Sequence, residues 1–396
     1  RSSEYSLRGS GDTNLWKLFM ERGMRLLAKG GTLSVVVPSG IITDEGGKPL
    51  REKLFEGKIR GIFEFENKRG IFPDVHRSYK FALLFWDKDE PVPVFPAAFY
   101  LQDVRALEGK AEQEKFLEMP MELVRICAPD SLSIPEVRNQ QHLRVFTKLC
   151  RAHPLLGDPE KGWHVGLVAE LHRTNDSKLF RSDGQGWPLI EGKSFHQFLP
   201  DYEKPIFTVD PDQGLKRTAR CKFYKDGMNG FLHMMPRLAF RDIASSTNVR
   251  SMIACILPPK TLCSNKAPLT IPLENNCVQK GKSYLQFIGY LAGVFDSFVF
   301  DFLIRTRVSI NLNFFYVYQT PIPANYHNST AQKIIQLAAR LSSPDERFRE
   351  LAEAMDVPFG PLTMKERLEM TAELNALVAR HYGLSREDLA VILESF

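Results

Sequence analysis

NLWKLFMERGMRLLAKGGTLSVVVPSGII, residues 14–42, is the stretch whose reading decides the fold. Its first half places Leu15, Leu18, Phe19, Met24 and Leu27 at helical spacing, behind Asp12 and Asn14 as N-cap candidates. Gly30-Gly31 stops that helix. Thr32 to Pro38 is a short, nearly unbroken β-branched run, which predicts a strand covered on both faces. Working outward, Leu50–Phe55 predicts a short helix ended by Gly57, and Ile59–Phe65 and Tyr79–Trp86 predict two more strands. The loop between those two is too short for a helical crossover, so they should pair antiparallel. A parallel-type strand followed by an antiparallel pair is the closing edge of a doubly wound sheet. The ligand end of such a sheet lies in its first half, at a glycine-rich strand-to-helix turn followed by an acidic residue. Gly9/Gly11, Gly30-Gly31 and Gly46-Gly47 all stand in another context. The chain therefore reads as a fragment: the back half of such a sheet without its nucleotide-binding front half.

Farther along, residues 88–132 are mixed and rich in Glu and Pro, as in a connection with some local structure. Ser131–Cys150 reads as a helix through Ile134, Val137, Leu143, Phe146 and Leu149, with Pro135 in its first turn. From about 151 to 275 the pattern shifts to short strands, at Trp163–Leu167, Pro188–Ile190, Arg237–Ile243 and Met252–Leu257, between Gly, Pro, Asp and Asn. Ser283–Ile304 reads as one long apolar helix and Phe314–Thr320 as a strand before Pro321-Ile322-Pro323. Residues 329–341, Thr363–Tyr382 and Ser385–Leu393 read as helices, with Gly383 as a break. The expected boundaries are 1–105 for the α/β part, 106–150 for a linker and connecting helix, 151–342 for a second domain and 343–396 for a helical segment.

A chain of 396 residues suggests two or three domains, and 43% hydrophobic with 25% charged residues is ordinary for a globular protein. No apolar run reaches the roughly 18 residues of a membrane helix, and no basic-then-apolar leader follows Arg1. The six cysteines are scattered without a CxxC pair, which argues against zinc and a disulfide framework and fits a reducing, cytoplasmic location. Histidines 153, 164, 172 and 196 lack metal-ligand spacing. The net charge of +5 is uninformative alone, but residues 148–307 hold 22 Lys/Arg against 15 Asp/Glu, and 343–396 hold 6 against 11. A basic middle beside an acidic tail suits a phosphate-facing domain with a solvated helical end; ordinary variation between surfaces is the other reading.

Residues 14–42, 48–54 (KPLREKL) and 70–86 (GIFPDVHRSYKFALLFW) resemble the segment after the catalytic motif of amino-group adenine DNA methyltransferases of the gamma class, the type found in type IIG restriction–modification and phage-defence enzymes. PLIEGKSFHQF (188–198), RLAFRDIASSTNVRSMIACILPP (237–259), YLAGVFDSFVFDFLIR (290–305), YQTPIPA (318–324) and LVARHYGLSREDLAVIL (377–393) resemble, in order, the target-recognition region that follows. The resemblance implies an α/β fold: the C-terminal half of a Rossmann-like methyltransferase sheet, then an α+β target-recognition domain and a helical tail. It implies double-stranded DNA as partner, S-adenosyl-L-methionine as donor in the full-length protein, and no membrane. The family's donor-binding glycine motif and Asn/Asp-Pro-Pro-aromatic motif lie before the matched region. The only Pro-Pro here is Pro258-Pro259, so no residue of this chain is assigned to catalysis or donor binding. A non-catalytic specificity module is the alternative; half a transferase sheet at 32–86 argues against it. No carboxylate-pair-plus-lysine nuclease pattern stands out, which leaves any nuclease to a domain or subunit outside this chain.

Adenine's exocyclic nitrogen is a poor nucleophile, so the base must be extruded and held. Phe72, in Ile71-Phe72-Pro73, matches the family position that packs on the flipped adenine, and Pro73 restricts its loop. The competing reading makes Phe72 a plug of the hairpin core. Pro38-Ser39-Gly40 at a strand end, and His76 and Arg77 near a phosphate or sugar, are weaker candidates against plain turn and solvated loop. For DNA, Lys216, Arg217, Arg220, Lys222 and Lys225, interleaved with Phe223 and Tyr224, form the densest basic stretch, against a solvated face. Arg237, Arg241, Arg250, Lys266, Arg305, Arg307, Asn311 and Asn313 are further candidates, with Arg241-Asp242 alternatively an internal ion pair.

Overall fold

The computed structural model describes residues 5–9, 14–161, 163–225, 228–244, 248–274, 277–308 and 311–396, so Asp12 and Gly11 lie outside the described residues. The chain divides into two compact units, one through Arg151 and one from Ala152.

In the first unit, α1 (Leu15–Leu26) follows Asn14, whose backbone is extended but whose side chain makes no capping bond. The apolar spacing misplaces its inner face. Leu15 and Phe19 are 70% and 71% exposed, and Lys17, Met20, Glu21 and Met24 are buried. The two charges are satisfied locally: Lys17 Nζ donates to the Gly46 carbonyl at 3.0 Å, and the Glu21 carboxylate accepts the Ser6 and Leu7 amides at 2.8 Å each. Gly9 (φ +69°) approaches Gly46 so closely that a Cβ would lie 2.1 Å from its carbonyl oxygen.

Strand β1 (Thr32–Pro38) pairs only with β3 (Lys80–Asp87), and β3 pairs on its other side with β2 (Lys58–Glu66), both antiparallel. The 59–65/79–86 pairing is as expected, but β1 is an edge. Thr32, Ser34, Val36 and Pro38 are exposed, so the expectation of a strand covered on both faces is corrected. Between β1 and β2 lie the single-turn α2 (Gly40–Thr43) and α3 (Lys48–Leu54). Residues 88–132 are more than a connection. β4 (Val94–Leu101) runs parallel to β2, and β5 (Phe116–Pro120) pairs antiparallel with β4, giving the order β1-β3-β2-β4-β5. After α4 (Met121–Cys127), residues 131–137 are buried but not helical, with Leu132 at φ +54°, and α5 starts only at Gln140 (Gln140–Ala152). Arg51 of α3, fully buried, joins these segments by donating to the carbonyls of Ile41 (3.0 Å), Asp44 (2.7 Å) and Ser131 (2.6 and 3.1 Å).

The second unit contains β6 (Val165–Val168), the small strands β7 (Phe180–Arg181), β8 (Trp187–Ile190) and β9 (Thr208–Val209), then α6 (Pro211–Thr218) and α7 (Met228–His233). β10 (Arg237–Phe240), β11 (Ala254–Leu257), β12 (Leu262–Cys263), β13 (Leu269–Glu274) and β14 (Cys277–Val278) follow. One sheet has the order β11-β10-β13-β14 with β6 beside β13; another has β12-β8-β9-β7. The expected single helix over 283–304 is two, α8 (Gly281–Phe295) and α9 (Phe298–Arg305), bent by 67° where Ser297 accepts the Phe300 amide as a new N-cap. The aromatic run at 314–318 forms α10 (Phe314–Tyr318) rather than a strand. α11 (Ser329–Leu341) and α12 (Arg349–Ala354) lead to α13 (Met364–His381) and α14 (Arg386–Leu393). Capping boxes at Thr363–Glu366 and Ser385–Asp388 start the last two. Among the described residues no single helix is long and apolar enough to cross a membrane. The six cysteines are all free; Cys127, Cys150, Cys255 and Cys263 are buried.

Replacing Arg51 by Met removes the donors to three backbone carbonyls, of which those of Ile41 and Ser131 are buried. The expected result is a loss of about 3 kcal/mol or more in urea unfolding of the first unit, of which Arg51→Lys, with fewer donors, recovers only part.

Candidate functional site

β1, β2 and β4 run in the same direction, so their carboxyl ends, at Pro38, Glu66 and Leu101, lie on one edge of the sheet. The loop from β2 to β3 sits on that edge. Its organiser is Asn67, fully buried, whose amide donates to the carbonyls of Phe72 (3.0 Å) and Val75 (2.7 Å) and accepts the Phe72 N–H (2.9 Å). Gly70 has φ +70°, and a Cβ there would lie 2.7 Å from the Arg77 guanidinium, which itself donates to the Lys68 carbonyl at 2.9 Å. Arg77 thus closes the loop, and His76 Nδ1 lies 2.8 Å from Ser78 Oγ. Phe72 is 41% exposed and meets Phe81 edge-on, centroids 4.8 Å apart. The ring is anchored on Phe81 and partly exposed.

Beneath the loop, Lys80 opens β3. Its ammonium lies 2.7 Å from Glu64 of β2, contacts Glu136 of the 131–137 segment, and stands 4.9 Å from the centre of the Tyr100 ring of β4. Its carbonyl accepts the Ser39 N–H (3.2 Å), which ties the 38–40 turn to the same point. Burial and then the neighbouring Glu136 carboxylate push the Glu64 carboxyl up to about 8, although Lys80 pulls it down. Burial opposes the Lys80 charge, yet the two carboxylates hold its ammonium well above its ordinary range. Asn67, Glu64 and Glu136 carry no motif that would mark them in the sequence.

In the second unit the basic candidates separate by what holds them. Lys216, Arg220, Lys222 and Lys225 are exposed on α6 and the turn after it. Arg217, partly exposed, is fixed by two bonds to Asp176 at 2.7 and 3.0 Å. Arg241 is half-buried. Its guanidinium donates to the Phe195 carbonyl (Nε at 3.1 Å) and lies 5.9 Å from the Tyr202 ring centre. Asp242, the alternative partner of Arg241, binds Lys266 at 2.7 Å instead. Arg305 is held more deeply. It is nearly buried, binds Asp301 at 2.8 Å and the carbonyls of Asn248 and Val249 at 2.8 and 2.5 Å, and lies 4.2 Å from the Phe396 ring centre. Arg250 shares Asp301, and Arg307 is buried on the Gln319 carbonyl. Arg237 is fully buried on Glu170, which also takes the Tyr224 hydroxyl (2.7 Å) and the Cys263 amide (2.6 Å). Burial would raise the Glu170 carboxyl, but Arg237 and its other donors bring it down to about 2. Asn311 and Asn313 are exposed.

Residues 2–72 match the family described as Eco57I restriction-modification methylase. No curated protein matches the chain. Among solved structures it is similar to the type IIG restriction endonuclease BpuSI, at 14% identity over 95% of this chain and 50% of that one, with a TM-score of 0.32. It is also similar to the type IIL restriction-modification enzyme MmeI in complex with DNA, at 12% identity over 92% and 49%, with a TM-score of 0.47. The DrdV–DNA complex matches at 11% identity over 95% and 41%, with a TM-score of 0.32. The chain spans about half the length of the first two. The methylase match thus runs along α1, β1 and β2 and ends on Phe72.

The methylase match implies S-adenosyl-L-methionine in general, and among the described residues the turn after β1 is not shaped to hold it. After β1 the chain turns directly into the four residues of α2, and a Cβ on Gly40 would lie 2.3 Å from the Asp44 carboxylate. Gly40 makes room for that side chain rather than for a ligand.

Glu64→Gln should flatten the pH dependence of unfolding of the first unit. The folded state holds the Glu64 proton more tightly than the unfolded chain, so this contribution is full below pH 4.5 and is lost as pH rises toward about 8. Urea midpoints at pH 5 to 9 should fall less for Glu64→Gln than for the unaltered chain. Arg305→Ala should destabilise the second unit by roughly 3 kcal/mol, because it leaves Asp301 short of a buried partner; a normal melting profile would contradict that role.

Proposed function

We propose that this chain is the base-holding and DNA-reading part of a site-specific DNA methyltransferase of the gamma class, acting on the N6 amino group of adenine. The observation that carries the reading is Phe72: a partly exposed aromatic ring, set in a loop fixed by Asn67, at the carboxyl edge of a sheet and at the end of a methylase match. A base turned out of the duplex needs such a surface, and stacking on an aromatic side chain contributes about 1–3 kcal/mol per base. The donor, S-adenosyl-L-methionine, is bound by polypeptide outside these 396 residues, as is any nuclease. Residues 151–342 serve as the recognition domain on double-stranded DNA. Lys216, Arg220, Lys222 and Lys225 face phosphates, with Arg217 held in register by Asp176 and Lys266 as a further contact; Arg241 and Arg305 brace the scaffold of the same domain. The cytoplasm, where the DNA is, is the corresponding location.

Two outcomes test this. DNA from cells expressing the full-length protein should carry N6-methyladenine at one short sequence, and Phe72→Ala should reduce that modification about tenfold or more. Modified cytosine, or no modified adenine, would refute the assignment. Replacing Lys216, Arg220 and Lys222 by Ala should weaken duplex binding at all sequences and lower the salt slope by about one for each phosphate left unneutralised.

A further inference from the structure

We infer that Lys80 is a positioning residue for the adenine-holding loop, locking its exit to the carboxyl ends of β1, β2 and β4 through Glu64, Glu136 and the Ser39 amide. The inference rests on the reading of Phe72 given above and adds the device that keeps that ring in place.

The loop has two fixed ends. Asn67 holds it at the start, bonded to Phe72 and Val75. At the finish, Lys80 is the first residue of β3, and Phe81 beside it is the ring against which Phe72 rests at 4.8 Å. Any shift of Lys80 therefore moves the floor under Phe72. Four segments converge on Lys80: β2 through Glu64, the 131–137 segment through Glu136, β4 through the Tyr100 ring, and the end of β1 through the Ser39 N–H donated to the Lys80 carbonyl. The Glu64 and Glu136 side chains are 0% and 4% exposed. A salt bridge this far from water contributes little net stability, but removing Lys80 leaves buried acidic groups without their partner. Arg138 stands over the same Tyr100 ring at 5.3 Å, on the side chain that also faces Lys80. The arrangement spends buried charge on fixing a loop, whereas an apolar side chain at position 80 would fill the space without joining the segments.

Hydrogen–deuterium exchange of the 396-residue chain tests this without DNA. Lys80→Met should speed amide exchange across 67–79 by about tenfold or more, while β2 and the second unit keep their protection. Lys80→Arg, which retains the charge and donors, should restore slow exchange. Equal loop exchange in Lys80→Met and the unaltered chain overturns the inference. If Lys80→Met loses protection throughout residues 14–151, Glu136→Gln decides: faster exchange confined to 67–79 supports the clamp, and unchanged exchange overturns it. A rigid loop in a protein whose Phe72→Ala variant still methylates normally would defeat the reading of Phe72 and leave the clamp standing, so the two fail separately.

Discussion

The insertion of β3 between β1 and β2 is the constraint on which the first unit depends. Because β3 runs against both neighbours, the chain leaving β2 must turn on the carboxyl edge of the sheet and re-enter there. That places a thirteen-residue loop, 67–79, and a lysine at its end on the same edge as the turn after β1. A lysine sequestered there needs acidic partners, and Glu64 and Glu136 meet it from segments far apart in sequence. The same edge is where open α/β sheets place ligands.

The second unit solves a similar problem with arginine. Glu170 collects Arg237, Tyr224, His233 and the Cys263 amide, and Asp301 collects Arg250, Arg305 and the Ser251 amide. These anions bind strands and loops together in a region whose strands are short, two to six residues each. Arginine suits the task because its planar fork donates to several acceptors and is easier to desolvate than an ammonium. Lys216, Lys222, Lys225 and Arg220, around α6, keep their charge at the surface.

Much of this is legible in the sequence, and the gaps have physical causes. The helix–Gly-Gly–strand passage at 15–38, the antiparallel pair and the tail helices are readable because spacing and capping residues agree. β4 is hidden because Pro96 interrupts its pattern. The start of α5 is misleading because Ser131–Val137 is as apolar as a helix face yet is held out of a helix by tertiary contacts such as the bond from the Ile134 amide to the Ile42 carbonyl. The 283–304 helix looks continuous because hydropathy does not register that Ser297 can cap a new one. Phe314–Tyr318 carries strand-forming residues but coils because its five residues bond locally. For the site, Phe72 is visible through a motif, whereas the Lys80 cluster joins residues 16 and 56 positions away and leaves no local signature. The burial of Arg305 is not legible, because a charge in the sequence says nothing of where it lies.

The buried thiols give each unit its own reporter. Cys127 and Cys150 lie in the first unit, Cys255 and Cys263 in the second, all shielded from solvent. Only Cys221 and Cys277 are reachable in the folded protein, and both belong to the second unit. A maleimide added under native conditions therefore marks the second unit alone, and every label found on Cys127 or Cys150 records an opening of the first.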